Sequence, residues 1–260
     1  MPVSSPSMSS IDLHRRFGGL ERLYGAGALA RLQAASVCVI GLGGVGSWAA
    51  EALARSGVGR LTLIDLDHIA LSNLNRQAHA LEHTLGAAKV QAMAARLVEI
   101  NPALHIDTVE AFIDADNVAS LVLETDLVLD AIDQVPAKAA LLALCRRRGQ
   151  FAVTTGGAGG RQDPTRIRVA DLARVAHDPL AASLRARLRK EHDFPRGDAP
   201  AGQREFGVPC VYSDEPMQRP AELCAGEAGA LSCAGYGSSM CVTAAFGCAA
   251  AAQVIAQILR

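Results

Sequence analysis

Hydrophobic positions near the beginning of the chain occur in short blocks separated by glycines. Residues 36–40 form an apolar run that stops at Gly41, a pattern typical of a buried parallel strand. Residues 45–56 are rich in alanine and favour a helix, which Gly57 is expected to end. Residues 61–65 form a second apolar run with an aspartate at its end. This order of strand, glycine turn, helix and strand predicts the first part of a dinucleotide-binding unit.

The same alternation continues along the chain. It predicts helices over residues 13–32, 85–100, 116–123 and 136–148, and strands over 105–110, 127–132 and 151–154. Strands that alternate with helices predict an α/β fold, here a Rossmann-like, doubly wound and mostly parallel sheet. Beyond residue 155 the pattern weakens. We expect an irregular excursion over residues 156–240 and a buried C-terminal helix over 241–260.

Length and composition fit a chain that folds around a sizeable core. The 260 residues are 50% hydrophobic, and we expect a Ser/Pro-rich disordered tail over 1–10 followed by a single domain over 11–260. Within that domain we expect a nucleotide-binding core over 11–155, an insertion that meets the substrate over 156–240, and the terminal helix.

Charge and cysteine usage limit the possible binding partners and the cellular compartment. The 25 basic and 26 acidic residues nearly cancel, so any site for a polyanion has to be a local patch. Seven scattered cysteines, with no Cys-x-x-Cys pair and no secretory signal, predict a reducing cytoplasm and no structural zinc. Residues 228–259 carry no charge and are long enough to span a bilayer, but they are mostly Ala, Gly, Ser and Cys. We therefore expect no stable membrane insertion, with membrane association through 228–259 as the alternative.

The glycine-rich turn carries the first chemical signal. Its backbone can approach phosphate closely, and the following helix offers free N–H groups and the positive end of its dipole. Asp65, nineteen residues after the turn, is placed to accept hydrogen bonds from both ribose hydroxyls. This pattern predicts adenosine and phosphate binding but leaves NAD, FAD and ATP open. The candidate residues in the turn are Gly41, Gly43, Gly44, Val45 and Gly46.

A polar cluster after the second strand favours a triphosphate. Arg76 can contact phosphate oxygens with two donors, and Lys89 adds a second cation at the start of the next predicted helix. Asp133 follows a predicted strand whose carboxyl end opens onto the cleft, where a carboxylate can hold Mg²⁺. A dehydrogenase that uses NAD needs no such cluster. Its other candidate members are Asp67, Asn73, Asn75 and Gln77.

In combination these motifs resemble the E1-like, ThiF-type adenylating superfamily. The resemblance also rests on Gly86-x-x-Lys89 and Asp130-x-x-Asp133. It implies that ATP and Mg²⁺ bind, that a carboxylate oxygen attacks the α-phosphate, and that pyrophosphate leaves. By matching position it implies that Asp65 holds the ribose, that Arg76 and Lys89 hold the phosphates, and that Asp133 holds the magnesium. It further implies a homodimer in which Arg16 reaches into the partner subunit's site.

Three further segments resemble the tRNA threonylcarbamoyladenosine dehydratase family. They are residues 15–25 with Arg-Arg-Phe-Gly-Gly, 154–160 with Thr-Thr-Gly-Gly-Ala-Gly-Gly, and 208–215 with Val-Pro-Cys-Val-Tyr-Ser-Asp-Glu. This resemblance implies cyclisation of N6-threonylcarbamoyladenosine (t6A) at position 37 of tRNA, by adenylation of its threonyl carboxylate. A nucleophile tethered in the same side chain then closes the ring, and its high effective concentration removes the need for a thioester cysteine.

Several further assignments accompany this interpretation. The concentrated basic residues Arg185, Arg187, Arg189 and Lys190 are candidates for tRNA phosphate contacts, with the solvated face of a helix as the alternative. Carbonyl groups in the glycine run 156–160 and the loop 228–239 are candidates for a monovalent cation, Na⁺ or K⁺. His79 and His83 are expected to pack or face solvent, because no third metal ligand accompanies them. A sulfur-transfer partner protein is a further candidate.

Three alternative functions stay open. An adenylating enzyme for a ubiquitin-like sulfur-carrier protein is disfavoured, because such enzymes usually carry two Cys-x-x-Cys zinc pairs. A non-catalytic nucleotide-binding adaptor has no need for the whole set of phosphate-binding charges. A nicotinamide oxidoreductase would turn over NADH and release no pyrophosphate.

Overall fold

A seven-stranded sheet forms the centre of the computed structural model, which describes residues 13–124, 126–200, 204–218 and 236–260. The strand order is β3-β2-β1-β4-β5-β7-β6, and every neighbouring pair is parallel except β7 with β6. This is the doubly wound, mostly parallel α/β sheet that the alternating pattern predicts. The strands are β1 (Ser36–Ile40), β2 (Arg60–Ile64), β3 (His105–Val109), β4 (Leu127–Asp130), β5 (Ala152–Thr155), β6 (Ile167–Asp171) and β7 (Pro209–Ser213).

Helices cover both faces of this sheet and bury two separate apolar clusters. Helices α3, α4, α5 and α9 pack on one face, and α6, α7 and α8 pack on the other. Both faces of the central strands are therefore buried from solvent, which explains why β1 is an apolar run. The helices are α1 (Leu13–Phe17), α2 (Gly19–Tyr24), α3 (Ala28–Ala34), α4 (Gly46–Arg55), α5 (Lys89–Ile100), α6 (Val118–Leu121), α7 (Val135–Arg148), α8 (Pro179–Glu191) and α9 (Met240–Ile258).

The N-terminal helix predicted over 13–32 is divided into α1, α2 and α3. Gly25 and Gly27 separate the last two, with φ of 96° and 80° that side-chain-bearing residues rarely adopt. The predicted helices over 85–100 and 116–123 also begin later than expected, at Lys89 and Val118. Local apolar spacing therefore located these helices but set their ends incorrectly. The tail predicted over 1–10 lies outside the described residues.

The region after residue 155 contains loops, as expected, but it also completes the sheet. Strand β7 adds to β5 in parallel, and β6 turns back along β7. Helix α8 covers the same face as α7 and is capped by Asp178, whose carboxylate accepts a hydrogen bond from the N–H of Ala181. The excursion is therefore part of the core and not only an appendage to it.

The C-terminal helix α9 packs directly on α4. A Cβ at Gly247 would collide with the first turn of α4, at the carbonyl O of Val45 and the N–H of Ala49. Among the described residues, α9 is also the one helix long and apolar enough to cross a membrane. One of its faces is buried, as predicted: Val242, Thr243, Phe246, Gly247, Ala250, Ala251, Val254 and Ile255.

Candidate functional site

A cavity of about 360 Å³ opens at the carboxyl ends of the parallel strands. It runs from the loop after β3, across the loops after β2, β1 and β4, to the loop after β5. In that order these loops contribute residues within 111–113, 65–67, 41–45, 131–134 and 155–158. Because all five loops leave the same edge of the sheet, residues far apart in sequence share one cavity.

Glycines in the loop after β1 are required by close backbone contacts. Gly41 has φ of 85°, and a Cβ there would lie 2.8 Å from the carbonyl O of Ala131 after β4. A Cβ at Gly46 would collide with the carbonyl O of Gly41. Gly43 faces open space within the cavity. The loop thus packs closely against itself and against the backbone after β4, and its other side faces the cavity.

Asp65 is held rigidly at the end of β2. Its Oδ2 accepts a hydrogen bond of 2.6 Å from the N–H of Leu42, and its Oδ1 accepts one of 2.8 Å from the N–H of Asp67. Burial raises the pKa of the Asp65 carboxyl, although Lys89 and the two backbone donors oppose that shift. The carboxylate is therefore fixed beside the glycine loop, where a ribose would lie.

Lys89 begins α5 and is almost completely buried. Its Nζ lies 2.7 Å from Oδ2 of Asp67 and 3.9 Å from Oδ1 of Asp65. The sequence placed Lys89 at a phosphate and Asp67 among the nucleotide contacts. The structure joins them as an ion pair at the cavity wall, so a phosphate has to compete with Asp67 for the ammonium.

Arg76 is oriented by its own neighbours. Its Nη1 donates to the carbonyl O of Ser72 at 2.7 Å and to Oδ1 of Asn75 at 2.9 Å. Asn75 in turn donates from Nδ2 to the carbonyl O of Ser238, 2.9 Å away, just before α9. Asn75 therefore links Arg76 to the start of the C-terminal helix. The Nε and Nη2 groups of Arg76 make no hydrogen bond with the residues that the structure describes.

Asn73 and Gln77 shape the same loop. Asn73 Oδ1 accepts a hydrogen bond of 3.0 Å from the N–H of Ala70, which fixes the turn that carries Arg76. Gln77 is buried at the cavity wall, and its Oε1 has no hydrogen-bond partner among the described residues. Both residues therefore lie where the sequence places them, with Asn73 supporting the loop.

Asp133 is exposed at the cavity, three residues after Asp130, which belongs to a fully buried ion pair that the sequence did not reveal. Lys138 Nζ lies 2.9 Å from Oδ2 of Asp130, and neither side chain has any exposed surface. Nζ of Lys138 makes no hydrogen bond with the described residues, so its contact with Asp130 is an ion pair only. Thr154 donates to the same carboxylate, and the N–H of Ile132 donates to Asp130 Oδ1 at 3.1 Å. Asp130 thereby fixes the turn that presents Asp133.

Asp133, a cavity carboxylate that pairs with no cation among the described residues, fits a magnesium ion that is bound mainly through phosphate oxygens and water. Among the described residues, no group of three or more His, Cys, Asp or Glu side chains is arranged to hold a metal ion by itself. Asp133 can therefore supply one ligand, and the nucleotide would have to supply others.

Arg16 and the four basic residues of α8 lie outside the cavity. Arg16 is exposed on α1, which packs through Phe17 near Gly57, at the opposite edge of the sheet. Arg16 makes no hydrogen bond or ion pair within the described parts of the chain. Such a position cannot serve the cavity of its own subunit.

Three of the four basic residues predicted to contact tRNA have partners within the chain. Arg185 donates to the carbonyl O of Leu172, Arg187 pairs with Glu191 at 2.8 Å, and the Arg189 guanidinium lies 5.3 Å from the centre of the Phe206 ring. Lys190 is exposed. The first turn of α8 reaches the cavity through Leu180, and Lys190 lies about 15 Å farther along the helix.

The loop after β5 is fixed to α8, and Cys210 on the adjacent strand β7 is buried. Gly157 donates from its N–H to Oδ2 of Asp178 at 2.9 Å, so the glycine run is tied to the beginning of α8. Cys210 is buried, and burial raises the pKa of its thiol well above the ordinary value, which opposes a nucleophilic role.

Comparison with known proteins extends over nearly the whole chain. The ThiF family model matches residues 18–260. The tRNA threonylcarbamoyladenosine dehydratase of Escherichia coli (strain K12) is 47% identical over 255 residues, which cover 94% of each chain. The enzyme of the same name from Haemophilus influenzae is 43% identical over 97% of each chain. Crystal structures of the E. coli dehydratase in complex with ATP and with AMP both superpose with a TM-score of 0.85, at 44% identity over 96% of each chain.

Proposed function

The chain belongs to the ThiF family and, within it, to the tRNA threonylcarbamoyladenosine dehydratases, and we propose that it uses ATP to cyclise t6A in tRNA. The observation that carries this proposal is the full-length similarity to dehydratases, including a structure that contains ATP. The cavity supports it, because it combines a glycine loop suited to phosphate, Asp65 for a ribose and an edge of Arg76 that makes no hydrogen bond with the described residues.

The reaction proceeds in two substitutions. A threonyl carboxylate oxygen of t6A attacks the α-phosphorus of ATP, the bond between that phosphorus and the bridging oxygen breaks, and pyrophosphate leaves. A nucleophilic atom of the same modification then attacks the acyl carbon, and AMP leaves with the former carboxylate oxygen. The ring closes with net loss of the elements of water. Intramolecular attack makes the second step fast without a covalent enzyme intermediate.

The protein contributes mainly position and charge. Asp65 binds the ribose, and the N-terminus of α4 with the free edge of Arg76 stabilises negative charge on the phosphates. Lys89 exchanges Asp67 for a phosphate oxygen when the nucleotide binds. The pair with Asp67 compensates the charge of this buried ammonium. Mg²⁺ held by Asp133 and phosphate oxygens would neutralise further charge on the phosphates.

Four assignments go with this proposal. A homodimer would bring Arg16 to the partner's cavity, in keeping with its exposure at the opposite edge of the sheet. The tRNA would contact the basic end of α8, chiefly through Lys190, while its modified base enters the cavity. A monovalent cation at the carbonyl groups of residues 156–160 and a sulfur-transfer partner stay predictions.

Incubation with ATP, Mg²⁺ and t6A-containing tRNA, followed by nucleoside mass spectrometry, tests the function. We expect t6A to lose the mass of one water, and Arg76→Ala or Asp133→Ala to slow this loss at least about 100-fold. Arg60→Ala is the matched control, because Arg60 pairs with Asp107 on the other edge of the sheet. Adenylation of a ubiquitin-like sulfur carrier, with t6A unchanged, would contradict the proposal.

A further inference from the structure

Two long helices direct their N-termini at the same side of the cavity. Helix α9 packs on the first turn of α4 through Gly247, and its other end is held by Arg31, which donates to the carbonyl O of Leu259 at 2.8 Å. Because Arg31 belongs to α3, before β1, that end lies at the far edge of the sheet. The helices α4 and α9 are therefore parallel, and the positive ends of their dipoles add at the cavity.

The two N-termini meet at Gly44. A Cβ built there would lie 3.2 Å from Cβ of Thr243 on α9 and 3.2 Å from Cγ of Arg76. The first turns of α4 and α9, whose residues are all described, contain no acidic side chain. The positive potential at this corner is therefore left for a bound anion.

Thr243 provides a hydroxyl without a partner at this corner. The residue lines the cavity and is 2% exposed, and its Oγ1 makes no hydrogen bond with any described residue. Its backbone N–H is already bonded to the carbonyl O of Ser239, which also accepts from Val242. The hydroxyl is thus a polar group of this turn that a ligand oxygen can bond, since it has no partner among the described residues, and leaving it unbonded costs stability.

We propose that Thr243 and the N-terminus of α9 form, with Arg76, the subsite for the β- and γ-phosphates of ATP, the part that leaves as pyrophosphate. This inference rests on the proposed function. The loop after β5 is tied to α8, on the opposite face of the sheet from α4 and α9. In phosphoryl transfer the attacking and leaving oxygens lie roughly in line on opposite sides of the phosphorus. If the threonyl carboxylate enters from the α8 face, the leaving pyrophosphate therefore lies on the α9 face.

Isothermal titration of ATP and of AMP, each with Mg²⁺ and without tRNA, tests this subsite in the full chain. Thr243→Val removes the hydroxyl and keeps the branched shape. We expect it to weaken ATP binding about tenfold, the loss of one hydrogen bond to a charged group, and to leave AMP binding unchanged. Thr243→Ser should restore ATP affinity. Cys241→Ser, exposed on the same turn, is the matched control.

Thermal unfolding separates a binding role from a structural one. Without nucleotide, Thr243→Val should not lower Tm, because it removes a buried polar atom that has no hydrogen-bond partner among the described residues. Equal losses of ATP and AMP affinity, or no loss for ATP, would overturn the subsite. If Thr243→Val does not fold, Thr243→Ala removes the same hydroxyl for the same comparison. A wild-type protein that binds neither nucleotide would instead contradict the proposed function itself.

Discussion

Protonation of His79 is expected to destabilise the fold in mildly acidic solution. The side chain is 1% exposed, and neither ring nitrogen has a hydrogen-bond partner among the described residues. Burial, reinforced by the charges of Lys89 and Arg96, lowers the pKa of His79 to about 4. The unfolded chain takes up this proton near pH 6.5, whereas the folded chain does so only near pH 4.

Proton linkage gives the sign and the size of the change in the free energy of unfolding. Above pH 6.5 neither state is protonated, so the stabilising difference is fully present. Between pH 6.5 and pH 4 the unfolded state binds more protons, and the free energy of unfolding falls by about 1.4 kcal/mol per pH unit. At pH 5 the loss from this one group is about 2 kcal/mol.

Urea unfolding followed by circular dichroism, from pH 7.5 to pH 5, measures this loss. Carboxylates titrate in the same range, so the decisive quantity is the difference between the wild type and His79→Leu. That difference should shift by about 2 kcal/mol in favour of the variant between pH 7.5 and pH 5. His83→Leu, at an exposed position four residues later, should show no such shift. A difference that is constant with pH for His79→Leu would refute the reasoning.

Three other experiments test the loop, the buried ion pair and the dimer. Gly46→Ala should abolish nucleotide binding because its Cβ collides with the loop, whereas Gly43→Ala should fold normally and bind more weakly; calorimetry and Tm distinguish them. Lys138→Met should lower the free energy of unfolding by about 3–5 kcal/mol, because it leaves Asp130 buried without its counter-charge; urea titration measures this. Arg16→Ala subunits mixed with Arg76→Ala subunits should recover part of the dehydratase activity, if each site takes Arg16 from the partner; no recovery would contradict sharing.

Local patterns in the sequence predicted β1 to β5 and much of the cavity, but not β6 and β7, which lie in the region expected to be irregular. The apolar run of β1, its glycine turn and Asp65 lie within one continuous segment, so their spacing alone predicts a nucleotide loop and its ribose acid. Asp133 was predictable for a related reason, since every parallel strand ends at the same edge of the sheet. These inferences need only the short-range periodicity of strands and the direction of a parallel sheet.

Contacts between distant segments were not predictable in this way. Lys138 has the appearance of an ordinary helix lysine, and only the packing of α7 on the sheet buries it against Asp130. Arg189 was predicted to meet tRNA, yet the return of the chain after α8 places Phe206 beside it. Thr243 reaches the cavity because α9 packs on α4, nearly 200 residues earlier in the chain. Sequence patterns by themselves determined the type of nucleotide site, because that signal is local. Only tertiary packing decided which charges are neutralised and which polar groups are left for a ligand.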